Sequence, residues 1–159
     1  MVVSQAQIDQ ADSTIRATWP GYTKYIHPDT FYCTVSIASA AAQLSNTAVS
    51  INIDGSAATS QVVPQSQVFR IDDIYNYSSG DTGQQALMQF TKNKIKVLAN
   101  TAPIGTQLVT NQTRPGLPGV LIYEPQSSMQ INAQPVALTT GTYTDVFYVA
   151  ATIYDSSFG

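Results

Sequence analysis

The chain has 159 residues, enough for one domain with a substantial core. It is 43% hydrophobic but only 11% charged, with a formal net charge of −3, and that share of charge is less than half the usual ~25%. So much apolar content excludes a disordered tail, and the acidic balance excludes a general electrostatic grip on nucleic acid.

Polarity comes instead from 55 Ser, Thr, Asn and Gln side chains, and Glu124 is the only glutamate. Carboxylates titrate at about pH 4, whereas hydroxyls and amides stay neutral at any pH. A surface of this kind suits exposure to acid or to conditions outside the cell. Residues 1–20 nevertheless lack the basic start and apolar run of a secretory signal. No stretch reaches the ~18 apolar residues of a membrane-spanning helix. A signal already removed, or an exit route such as a virion, reconciles the two observations.

In chain order, residues 1–28 read as an arm or short helix. Ile8, Ala11 and Ile15 recur at helical spacing, Ser4 with Gln7 has the form of a capping box, and Trp19-Pro20-Gly21 ends the pattern. Residues 29–159 read as a single strand-rich domain. Thr30 to Ser39 alternates, with Phe31, Cys33, Val35 and Ile37 on one face. Ala48 to Ile53 repeats the alternation with Val49, Ile51 and Ile53, then stops at Asp54-Gly55, a strong turn signal. In Gln67 to Tyr75, Phe69 and Ile71 share a face with Asp73, while Val68, Arg70, Asp72 and Ile74 take the other. Ala86–Phe90, Ile95–Ala99, Thr106–Asn111, Gly119–Tyr123 and Met129–Ala133 follow as shorter runs. Thr144 to Tyr154 is the longest and most apolar, which predicts a central position in a sheet. The prolines fall between these runs. About eight strands joined by short turns indicate an all-β, antiparallel two-sheet sandwich or a barrel.

Candidate chemistry is sparse. His27 is the only histidine and sits at the boundary between arm and core, so neither a catalytic dyad nor a multi-histidine metal site can form around it. Cys33 is the only cysteine and lies on an apolar strand face, where a thiol is inert packing. Asp72 and Asp73 are neighbours on a strand, so their carboxylates point apart unless a bulge intervenes. Asp54 belongs to a turn without the spaced acids of a calcium loop. Asn76-Tyr77-Ser78 and Asn111-Gln112-Thr113 match the glycosylation sequon at a frequency near chance. The nine tyrosines are scattered and read as edge-covering side chains with wet hydroxyls. The residues therefore point away from an enzyme, and no catalytic, cofactor-binding or metal-binding residue is expected.

Lys92, Lys94 and Lys96 are three of only seven basic residues. On an extended strand they share one face; alternatively Lys92-Asn93-Lys94 is a hairpin tip, because Asn tolerates the left-handed conformation. Both readings expose them. A solvated face, or a guard against unwanted edge pairing, accounts for them better than a weak contact with phosphate or anionic lipid.

The succession RIDDIY, ALMQFTKNKIKVL, TQLVTNQTRPG and the closing TDVFYVAATIY resembles single jelly-roll capsid proteins of icosahedral, membrane-containing viruses of archaea and thermophilic bacteria. The resemblance spans about Asp29 to Tyr154 and rests on strand order. It implies an eight-stranded jelly roll of two facing four-stranded sheets, standing upright on a shell. The implied partners are copies of the chain, sister capsid proteins and an internal lipid membrane, with no specific nucleic acid and no cofactor. Function then lies in lateral contacts, with residues 1–28 as the segment that ties neighbours together. The competing expectations are a secreted β-sandwich binding module for sugar or a cell surface, and a pilus or thread subunit.

Overall fold

The computed structural model describes residues 4–76, 86–104, 120–135 and 138–156. One helix, α1 (Gln5–Thr18), precedes twelve strands: β1 (Lys24–Ile26), β2 (Phe31–Ile37), β3 (Thr47–Ala48), β4 (Ser50–Ile53), β5 (Ser56–Ala58), β6 (Ser60–Val62), β7 (Gln67–Asn76), β8 (Ala86–Lys92), β9 (Ile95–Ile104), β10 (Leu121–Tyr123), β11 (Ser128–Pro135) and β12 (Tyr143–Asp155). All ladders among the described residues run antiparallel. They form a seven-stranded sheet in the order β10-β7-β12-β2-β4-β5, with β1 also on β12, and a five-stranded sheet in the order β3-β11-β8-β9, with β6 also on β11.

The two sheets form a sandwich-like body around one shared core. Phe31, Cys33, Val35, Ile37, Ile71, Phe147 and Val149 of the larger sheet meet Met88, Phe90, Met129, Ile131 and Ala133 of the smaller one. The expected alternation holds on β2, where Phe31, Cys33, Val35 and Ile37 are buried and the residues between them are not. β12 takes the expected central place, with β7 on one side and β2 on the other.

The pairings nest. β8 pairs with its neighbour β9, β7 with β10, β3 with β11, and β2 with β12. Among the described strands these four pairs alternate between the two sheets, and the ladders β7–β12 and β8–β11 join them within each sheet.

Two expectations need correction. Among the described residues, twelve strands stand where about eight were expected. The extra ones are short: β1 has three residues and lies within the segment read as an arm, and β5 and β6 have three each. Strands this brief carry too little alternation to be seen in sequence. The run ending at Ile53 also divides, because β3 pairs in the smaller sheet and β4 in the larger, with Val49 buried at the crossing. The second correction concerns β7. Its register on β12 shifts, with Ile71 opposite Ala151 but Asp73 opposite Ala150. Asp72 is the inserted residue of a bulge, and the insertion turns Ile74 into the core beside Ile71. The expected strand Thr106–Asn111 lies outside the described residues.

Candidate functional site

The outer face of the larger sheet is built in two parts, one covered by α1 and one open. α1 begins as the sequence predicts: Ser4 Oγ accepts from the Gln7 amide at 3.2 Å, and Gln7 Oε1 accepts from the Ser4 amide at 2.8 Å. Its apolar stripe is narrow. Ile15 is fully buried against Val68 and Tyr154, with Trp19, Tyr22 and Ile122 around them.

A polar network surrounds that small apolar seat. The Tyr154 hydroxyl donates to Asp12 Oδ1 at 2.6 Å and accepts from Arg70 Nη1 at 2.6 Å. Arg70 also grips both Asp72 oxygens, at 2.6 and 3.0 Å, and donates to Thr152 Oγ1 at 3.1 Å. Arg16 donates to Asp12 Oδ2 at 2.8 Å and lies 5.1 Å from the centre of the Tyr25 ring. Burial opposes ionisation of Asp12, but the hydrogen bonds from Tyr154 and Arg16 and the charges of Arg16 and Arg70 outweigh it and hold its pKa below the ordinary value. Burial, with the bond to Asp12, pushes the Tyr154 phenol up to about 12, so it remains a donor at any physiological pH. Burial disfavours the charge on Arg70, yet the Asp72 carboxylate more than offsets it and raises its pKa.

Beyond α1 the sheet face is open and uncharged. On β2 the outward residues are Tyr32, Thr34 and Ser36; on β12 they are Thr144, Val146, Tyr148 and Ala150. Ser36 and Thr144 lie opposite each other with their hydroxyl oxygens 2.9 Å apart. Tyr32 and Tyr148 are likewise opposite, with ring centres 5.8 Å apart and planes tilted by 45°. Such a face can hydrogen-bond and pack without separating charges from water.

The residues flagged in the sequence do not converge. Asn93 and Lys94 form a two-residue turn, both at left-handed φ (51° and 67°), so the hairpin-tip reading is right and the lysines do not share one strand face. Lys92 is half-buried and donates to Glu124 Oε1 at 2.9 Å and to the Ile122 carbonyl at 3.1 Å. Lys94 is exposed, and the side chain of Lys96 on β9 lies outside those described. His27 is exposed. Cys33 is fully buried, and burial pushes its thiol pKa far up. Despite the bulge, Asp72 and Asp73 take different partners: Asp72 holds Arg70, whereas Asp73 Oδ1 accepts from the Ile74 amide at 2.9 Å. Asp54 is a turn residue at φ 49° followed by Gly55 at φ 89°, and its Oδ1 accepts from the Thr30 amide at 2.9 Å. Among the described residues, no group of three or more His, Cys, Asp or Glu could hold a metal ion. No helix there is long and apolar enough to cross a membrane.

The tyrosines depart from expectation in part, since Tyr123 and Tyr154 are fully buried rather than wet at an edge. The network around Tyr154 was missed by sequence reasoning. An arginine in the middle of the apolar run Val68 to Ile74 was its one visible signal, because such a charge needs partners. Asp72, two residues along the same strand, was a legible candidate, but Asp12, far away in sequence, was not. No protein-family model matches the chain, and no curated protein matches it.

Proposed function

We propose that the chain is a structural coat subunit, folded as a single jelly roll. In this reading it assembles with copies of itself and a sister coat protein into an icosahedral shell of a virion, over an internal membrane. The observation that carries the reading is the nested strand pairing. A doubled ribbon whose rungs β2–β12, β3–β11, β7–β10 and β8–β9 alternate between two sheets is the winding expected of a jelly roll. The short β1, β4, β5 and β6 then extend the sheets beyond the eight strands of these four rungs.

The open face around Tyr32 and Tyr148 supports lateral assembly. A neutral, hydroxyl-bearing surface meets an identical copy without like-charge repulsion. Individually weak contacts suffice, because a closed shell multiplies them. A role for residues 1–28 in tying neighbours together would require α1 to leave its own sheet and break the Tyr154–Asp12 bond. Docked as it is, α1 serves first to cover Val68 and Tyr154.

Negative-stain microscopy of the concentrated chain, alone and with lipid vesicles, tests the reading. Sheets, rings or shells are the expected result, and a dispersed monomer under every condition would overturn it. A carbohydrate-binding sandwich is the second reading, favoured by the neighbouring Tyr32 and Tyr148 rings on a polar face. Saturable glycan binding that is lost on Tyr148→Ala, without any assembly, would select it instead.

A further inference from the structure

The outer face of the larger sheet changes character along β12. Its outward residues pass from Thr144 and Tyr148, both exposed, through half-buried Ala150 to Thr152 and Tyr154, both buried. α1 covers the buried end, yet little of α1 is committed to the sheet. Of its fourteen residues only Ala11 and Ile15 are buried, while Ile8 and Asp12 are half-buried. A helix of this length is marginal by itself in water, and Asp9, Asp12, Ser13, Thr14 and Thr18 are weak helix formers. Thr14 and Thr18 also turn their hydroxyls back onto the carbonyls of Gln10 and Thr14, at 2.9 and 2.8 Å. The helical state of this segment therefore depends on seating Ile15 and on the Asp12 bond to Tyr154.

The sheet side of the joint does not depend on α1 in return. Without the helix, Arg70 keeps both Asp72 oxygens, Thr152 Oγ1 and the Tyr154 hydroxyl, and gives up only a 3.8 Å approach to Asp12. Tyr25 on β1 stays edge-on to the Tyr154 ring, with centres 5.0 Å apart. Asp12 carries its own partner, Arg16, one turn along the same helix. Separation thus leaves neither Asp12 nor Arg70 without an ionic partner, and the large penalty for splitting a buried charge pair does not arise. The chain beyond the helix is fastened to the sandwich independently. The Tyr22 hydroxyl donates to the Gln65 carbonyl at 3.0 Å, and β1 is laddered on β12. Between that anchor and Trp19 lie Pro20 and Gly21, both exposed.

We propose that α1 is a hinged cover that leaves the folded sandwich as one unit, pivoting at Pro20-Gly21. Opening lays bare Val68, Ile122 and Tyr154 on the sheet face that also carries Tyr32 and Tyr148. Ile15 is the plug of this cover, and the Tyr154 hydroxyl is its latch. Regions that open below the global unfolding free energy are those with few buried apolar contacts and much exposed backbone, and α1 has both. The device lengthens the open face along β12 without disturbing the core between the sheets. It belongs to the fold itself and does not require the coat reading to be right.

Hydrogen exchange of the dispersed chain, followed segment by segment by mass spectrometry, tests this without any assembly. In the parent, residues 5–18 should exchange at least about a hundredfold faster than the β2–β12 ladder. Their rates should rise only weakly with urea below the unfolding transition, because the opening exposes little surface. Ile15→Ala raises intrinsic helix propensity, so any loss of α1 protection reports docking alone. In that variant residues 5–18 should exchange at least about thirtyfold faster than in the parent, approaching an unstructured peptide, while the β2–β12 ladder stays protected. Two results would overturn the proposal. One is a parent in which residues 5–18 and the β2–β12 ladder share one rate and one urea dependence. The other is an Ile15→Ala chain whose ladder loses its protection together with α1. Both are read on single copies, so neither bears on whether the chain builds a shell.

Discussion

Tyr154→Phe removes a single oxygen, yet it should destabilise the protein measurably. The hydroxyl is fully buried and lies 2.6 Å from both Asp12 Oδ1 and Arg70 Nη1. Each is a hydrogen bond to a charged partner, of a kind worth about 1.5–3 kcal/mol. The loss is partly recovered, because Arg70 keeps Asp72 and Thr152, and its Nη1 already stands 3.8 Å from Asp12 Oδ1 and can close on it. A net loss of about 2 kcal/mol is expected, or roughly 4–8 °C in Tm for a domain of this size. The Asp12–Arg16 pair contributes little to the account, since the Arg16 side chain is 54% exposed. Urea denaturation of the parent, Tyr154→Phe, Asp12→Ala and the double variant should give a coupling energy of about 1–1.5 kcal/mol. Additivity within about 0.5 kcal/mol would mean that the hydroxyl does not fasten α1 to the sheet, and the docking argument would fail.

Acid should weaken the same joint. The folded Asp12 carboxyl titrates below its ordinary 3.8, so its contribution is fully present above that pH and disappears as pH falls through the folded value. The stability gap between the parent and Asp12→Asn should therefore be flat above about pH 5 and close progressively below about pH 4; a gap that widens in acid contradicts it. At the β8–β9 tip, Lys94→Gly should stabilise by a few tenths to about 1 kcal/mol, because φ 67° favours glycine. Asn93→Ala should cost about 1–2 kcal/mol, since it loses the Asn93 Oδ1 bond from the Ser128 amide at 2.9 Å; both are read by urea denaturation. Cys33 should resist a thiol reagent in the folded protein and react fully in denaturant. Labelling of the native protein at the rate of a free thiol would show that the core opens there.

Where one face of a strand carries enough alternating residues, the sequence is readable. β2 and β12 are of this kind, and the capping box of α1 is equally local, set by Ser4 and Gln7 alone. The turn at Asn93-Lys94 was one of two readings, and only its geometry decided between them. What stayed hidden was non-local. A one-residue bulge at Asp72 reverses the facing of Ile74 without any mark in composition. The three-residue strands β1, β5 and β6 exist because longer neighbours offer them an edge. The same holds for the candidate surface: neutral polar residues were visible as a count, but their gathering on one sheet face follows from the register of β2 on β12. The Tyr154–Asp12 bond spans 142 positions, a pairing that no local pattern announces.

The most direct test of the coat-subunit account is cryo-electron microscopy of particles from the native source of the chain, at a resolution that traces strands. The account predicts copies in a closed shell, strand axes upright on it, and the Tyr32–Tyr148 face turned toward a neighbouring copy. A chain found outside any shell, or lying in one with that face bare to solvent, would contradict it.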